Sequence, residues 1–125
     1  MLNRAQKGIY SFRSLKELPL KIFREGFIKV NDEYILKDEF RENVDLKYQD
    51  VRLNTPPGRF DLIMCRNLAF TYFEKQLQQK ILEMIVDKLR PNGYIVIGSH
   101  ETLPKKIEAL SNYKNMEDIY QKTPK

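Results

Sequence analysis

The 125-residue chain carries 22 Lys plus Arg against 17 Asp plus Glu, one His, one Cys and 42% hydrophobic residues, a size and composition that suit one soluble domain and exclude a two-domain enzyme. Its apolar runs argue against disorder and fall well short of the roughly 20 residues of a membrane span, so membrane insertion is not expected. The net charge of +5 is dispersed among acidic residues, without the clustered basic face that nucleic-acid binding needs, so no nucleic-acid partner is expected either.

After Met1, the stretch Leu2-Asn3-Arg4-Ala5-Gln6-Lys7 has no apolar core of a secretory signal, and the lone Cys65 forms no internal disulfide; the expected compartment is the reducing cytoplasm. Residues 1 to 26 read as helical or turn-like. Ser14-Leu15-Lys16-Glu17 has the Ser-x-x-Glu form of a helix start, Pro19 fits its first turn, and Gly26 is a stop. Phe27-Ile28, Val30 and Tyr34-Ile35-Leu36 flank Asn31-Asp32-Glu33 as a short hairpin with a polar turn. Val44, Leu46 and Tyr48 alternate with polar residues, the period of a half-buried strand ending at Asp50.

Asn54-Thr55-Pro56-Pro57-Gly58 is a loop. The next run, Phe60-Asp61-Leu62-Ile63-Met64-Cys65, is too apolar for an edge strand and too short for a helix, and reads as a central strand of a parallel sheet. Thr71 to Glu74 repeats the capping form ahead of Leu77, Ile81, Ile85 and Leu89, whose spacing predicts a helix. Pro91-Asn92-Gly93 ends it, and Tyr94-Ile95-Val96-Ile97 is a second buried strand, completing a βαβ unit. The tail reads as a helix over 104–110, a strand over 116–121 and a frayed end over 122–125.

Ligands of open parallel sheets gather at the carboxyl ends of the strands, here Asp50-Val51, Cys65-Arg66-Asn67 and Gly98-Ser99-His100-Glu101. The ordered segments Phe60 to Asn67, Tyr72-Phe73, Gln78 to Leu82 and Leu89-Arg90-Pro91-Asn92-Gly93-Tyr94 closely resemble the CheR family of chemotaxis-receptor methyltransferases, which use S-adenosylmethionine. Arg4-Ala5, Gly8-Ile9-Tyr10 and Ser14 to Pro19 extend the resemblance toward the start of the chain. It implies an α/β fold, a partial Rossmann-like class I methyltransferase sheet with a small inserted β-hairpin, spanning residues 1–125 as a single partial domain. The glycine-rich cofactor loop and the ribose-binding acid of such domains are absent from the sequence: Gly8, Gly26, Gly58, Gly93 and Gly98 never come close enough together.

Residue by residue, the resemblance implies that Asp50 and Val51 face the adenine, that Cys65 and Arg66 lie beside the cofactor, and that Arg66 and Tyr72 serve catalysis. Four residues separate Arg66-Asn67 from Tyr72 where the family form has three, and Gly98-Ser99-His100-Glu101 replaces the usual Gly-His-Ser-Glu order. Methyl transfer from a sulfonium is an in-line displacement that an ionised carboxylate performs without a general base, leaving alignment and water exclusion to the protein. Arg66 could orient a carboxylate through its planar fork of donors, or could cap the following helix or pair with Glu74. The expected activity is methylation of a carboxylate, as on a receptor glutamate, with cofactor binding weak or absent in the isolated chain. The expected partner is a protein bearing that carboxylate, or a missing N-terminal half. The competing expectation is a catalytically silent binding or assembly module. Cys65 as a nucleophile lacks an adjacent base, and His100, Glu101 and Cys65 lack metal-ligand spacing.

Overall fold

The computed structural model describes residues 2–124. Residues 1–125 are divided between two compact units, Met1–Tyr48 and Gln49–Lys125, and each is built around its own sheet.

In the first unit, helix α1 (Leu2–Lys7) stops at Gly8, whose left-handed φ of +66° lets its amide reach back 2.9 Å to the Arg4 carbonyl. Strand β1 (Ile9–Tyr10) follows, then α2 (Phe12–Leu15) and α3 (Leu20–Gly26). The expected capping box does not form: Ser11 precedes α2 and Ser14 lies inside it, while α3 begins directly after Pro19, where a missing amide hydrogen does no harm. The hairpin is as expected, with β2 (Phe27–Val30) and β3 (Glu33–Leu36) antiparallel. Asn31 and Asp32 both take left-handed φ, 48° and 65°, the backbone a two-residue hairpin turn requires and one that Asn and Asp tolerate. Ile9 and Tyr10 pair with Ile35 and Tyr34, so the hairpin gains a third strand. Phe23, Phe27 and Tyr34 pack ring to ring, Phe23 standing 4.9 Å from Tyr34.

The alternating stretch Val44 to Tyr48 is not a strand. Only a 3-10 turn, Asp38–Phe40, forms nearby, and Tyr48 is 94% exposed. Alternation supplies one apolar face, but a strand also needs a neighbour for its amides and carbonyls, and none of the described strands pairs with this segment.

The second unit carries a four-stranded mixed sheet in the order β4-β5-β7-β6, an α/β arrangement of partial Rossmann-like type. Strand β4 (Phe60–Cys65) and β5 (Leu89–Ile97) run parallel, Leu62 to Cys65 facing Tyr94 to Ile97, and they are joined through α4 (Ala69–Tyr72) and α5 (Lys75–Lys88). Helix α5 buries Ile81, Leu82 and Ile85 with Leu89, Ile95 and Ile97 in one cluster. Each such side chain stabilises the unit by about 1.5–3 kcal/mol. Strand β4 is not central: it stands at the edge of the sheet, paired on one side alone.

The Thr71–Glu74 capping box is also overturned. Glu74 itself precedes α5 without a side-chain cap, and the Thr71 hydroxyl is drawn to Glu101 instead. No helix forms over 104–110, since the Leu110 amide turns back to Ile107 and β6 (Leu110–Asn112) begins there, antiparallel to β7 (Ile119–Lys122). Lys122 is not frayed: its Nζ donates to the Val86 and Leu89 carbonyls at 2.7 and 2.8 Å, closing the end of α5. Lys125 lies outside the described residues. Among the described residues, no helix is long and apolar enough to cross a membrane.

Candidate functional site

The parallel register sets the last residues of β4 and β5 side by side, Cys65 opposite Ile97, so the two following turns begin together. At the first turn Asn67 takes a left-handed φ of 55°, which Asn adopts more cheaply than other side-chain-bearing residues. At the second, Gly98 is fixed by space: a Cβ there would come within 2.2 Å of Asn67 Oδ1 and 2.8 Å of Glu101 Oε1.

Glu101 binds the two turns together. It is 7% exposed, the one buried charged or polar residue among the described residues. Its Oε1 accepts from the Asn67 amide at 2.8 Å and the Gly98 amide at 2.6 Å, and Oε2 accepts from the Thr71 hydroxyl at 2.6 Å. Burial pushes the carboxyl up, but the hydrogen bonds from Thr71, Asn67, Gly98 and Leu68 outweigh it and hold it below the usual glutamate value. Bonds to a charged acceptor contribute about 1.5–3 kcal/mol each. Sequence reasoning placed Glu101 at a strand end without giving it this work; an acid three residues beyond a strand-ending glycine was the available signal.

Arg66 directly precedes Asn67, and Tyr72 directly follows Thr71. Both are exposed, and Arg66 makes no hydrogen bond or ion pair among the described residues, so its pairing with Glu74 is not realised. Val51, Cys65 and Arg66 line one cleft of about 470 Å³, together with Leu68 at its head and Phe60, Leu62 and Met84 along it. Asp50 and Tyr72 do not line it. Asp50 is held instead by Arg52, whose Nη2 lies 2.6 Å from Oδ2 and whose backbone amide lies 3.0 Å from Oδ1. That hydrogen bonding lowers the Asp50 carboxyl to about 2. The Arg52 guanidinium in turn lies 5.7 Å above the Phe73 ring.

Burial, with the Glu101 charge assisting, raises the Cys65 thiol despite a backbone contact with Ala69, so it stays protonated and is a poor nucleophile. Among the described residues, no three His, Cys, Asp or Glu side chains are placed to hold a metal ion.

A parallel βαβ pair whose turns are tied by a buried carboxylate, with an apolar cleft along β4, makes the second unit an open α/β domain. The chain belongs to the CheR family: residues 1–119 match the CheR methyltransferase, SAM binding domain. It is 34% identical over 111 residues to the chemotaxis protein methyltransferase of Escherichia coli, covering 81% of this chain and 37% of that protein. Against the chemotaxis protein methyltransferase of Salmonella typhimurium it is 32% identical over 121 residues, 89% and 40% of the two chains. For that of Listeria innocua the figures are 31% over 103 residues, 82% and 39%. The chain thus spans less than half the length of these relatives, and it corresponds to their C-terminal part.

Proposed function

We propose that the chain is the part of a CheR-type methyltransferase domain that holds the adenine end of S-adenosylmethionine and presents the methyl acceptor, a protein carboxylate, in the cytoplasm. The observation that carries this reading is the cleft that runs along β4, whose carboxyl-end part Val51, Cys65 and Arg66 line together. Its volume suits a nucleoside-sized ligand, and its largely apolar lining suits a flat base. The Val51 amide is the donor offered to a ring nitrogen. Asp50 stays ionised across the physiological range, and its carboxylate has acceptor capacity beyond the bonds from Arg52.

The fit is to one end of the cofactor. Groups for its ribose and methionine ends belong to a glycine-rich segment outside these 125 residues, so the isolated chain binds it weakly or not at all. When bound, the cofactor supplies an electrophilic methyl group on a sulfonium. Arg66 orients a carboxylate through two parallel donors, and Tyr72 offers a hydroxyl on the same turn. Glu101 holds the Asn67 amide next to Arg66 and the Thr71 hydroxyl next to Tyr72, which steadies the turn that carries both side chains. The acceptor carboxylate needs no base from the protein.

The test is a fusion in which the N-terminal part of the E. coli relative precedes Met1, supplied with methyl-labelled S-adenosylmethionine and glutamate-bearing protein. Labelled methanol released by mild base marks a carboxyl methyl ester. Arg66→Ala and Asp50→Ala are expected to lower turnover by roughly 10- to 100-fold with the fold intact. Unchanged turnover in both would remove the site assignment, and label that resists base would contradict the carboxylate acceptor.

A further inference from the structure

Arg52 is tied from two sides. Its guanidinium meets the Asp50 carboxylate with Nη2 at 2.6 Å from Oδ2 and Nε at 3.0 Å from Oδ1 and 3.2 Å from Oδ2, while its backbone amide donates to Oδ1 at 3.0 Å. The same guanidinium lies 5.7 Å from the centre of the Phe73 ring, within reach of a cation–π contact. Phe73 is itself anchored: it packs against the buried cluster of the second unit, and its carbonyl accepts from Gln78 Nε2 at 2.7 Å. Ion pairs as exposed as this one add little stability, so what the arrangement supplies is direction.

Asp50 has no other hold on its side chain. It lies in none of the described strands, and its turn closes only through the Leu53 and Asn54 amides, each 2.9 Å from the Asp50 carbonyl. Among the described residues the carboxylate accepts from Arg52 alone. An ionised carboxylate has about four acceptor sites, and Arg52 fills them unequally. Oδ1 takes the backbone amide and Nε, whereas Oδ2 takes Nη2 and only the longer share of Nε, so an acceptor site on Oδ2 stays open. The next amide, that of Val51, makes no hydrogen bond among the described residues. Adjacent residues therefore present one acceptor and one donor.

We propose that Arg52 is a positioning residue for purine selection: pinned on Phe73, it fixes the Asp50 carboxylate so that the site accepts a 6-amino purine and turns away a 6-oxo purine. A 6-amino purine carries a donor on its exocyclic nitrogen and an acceptor at the adjacent ring nitrogen, the complement of Asp50 and Val51. A 6-oxo purine reverses both, with a carbonyl oxygen in place of the amine and a protonated ring nitrogen beside it. A carboxylate free to turn could accept from that ring N–H; a pinned one cannot. The inference rests on the reading that Asp50 and Val51 face the base, and the clamp is measured without ligand so that the two can fail separately.

NMR of the free 125-residue chain reads the clamp. The Arg52 side-chain protons are expected upfield of their free-peptide positions, under the Phe73 ring, and should return toward those positions in Phe73→Leu and in Asp50→Asn, with β5 amide protection showing that the fold persists. Arg52 protons at free-peptide positions in the unsubstituted chain overturn the proposal. The chain is then titrated with S-adenosylhomocysteine and with S-inosylhomocysteine, its 6-oxo analogue, following the amides of Val51 and of Cys65 to Leu68. The adenine form is expected to bind roughly tenfold more tightly, and Arg52→Ala to cut that preference to about threefold or less. Arg52→Lys should do the same, because an ammonium keeps the charge without the planar fork. In an Asp50→Asn background, Arg52→Ala should change nothing further, since the residue acts through the carboxylate. A preference that survives Arg52→Ala, or that Arg52→Lys retains in full, overturns the proposal. Shifts centred away from those amides would overturn the cofactor reading and the selectivity with it, whatever the state of the clamp.

Discussion

At the scale of single residues, Glu101 does the most. It accepts bonds from the Asn67 and Gly98 amides and the Thr71 hydroxyl, so Glu101→Gln, which turns a donor toward donors, is expected to destabilise the second unit by about 1–3 kcal/mol in urea unfolding. Its folded pKa lies below the unfolded value; its contribution is therefore complete above that value and is lost as pH falls through the folded one. Acid unfolding of the native chain should accordingly show a loss below about pH 4.5 that the Gln variant lacks. Gly98→Ala drives a methyl into Asn67 and Glu101, and a cost of about 1–3 kcal/mol is expected in the same measurement. Asp50 gives a direct readout of its pairing: its carboxyl carbon should titrate near 2 by NMR and move upward in Arg52→Ala. Cys65 and Arg66 were legible from the apolar run that ends in them. The occupation of Asp50 by Arg52 was not, because a contact two residues away along an irregular turn leaves no periodic trace.

Among the elements, those whose pattern also had a partner formed as read. The spacing of Leu77, Ile81 and Ile85 gave α5, the Asn31-Asp32 pair gave the hairpin, and the two apolar runs gave parallel β4 and β5. Where pattern stood alone it failed. Val44 to Tyr48 alternate and yet find no ladder, and both Ser/Thr-x-x-Glu boxes lost their hydroxyls to other surroundings, Thr71 to a buried carboxylate. β1 and β6 are too short for a period to be counted, so they are visible only once β3 and β7 are in place. Ile81→Ala and Leu82→Ala, both nearly or fully buried, should each cost about 2–5 kcal/mol and leave little folded second unit by circular dichroism. Val44→Ser and Tyr48→Ser should change stability by less than about 0.5 kcal/mol, as at other exposed sites.

For the molecule as a whole, the match over residues 1–119 spans both compact units, and the chain corresponds to the C-terminal part of its relatives. The cleft along β4 and the exposed Arg66 that lines it are the features the proposed function draws on. The most direct test is an NMR titration of the 125-residue chain with S-adenosylhomocysteine, following backbone amides. Shifts are expected at Val51 and from Cys65 to Leu68, with a dissociation constant in the millimolar range or weaker, a free energy of about −4 kcal/mol at most. Micromolar binding by the chain alone, or shifts centred away from those residues, would contradict that expectation.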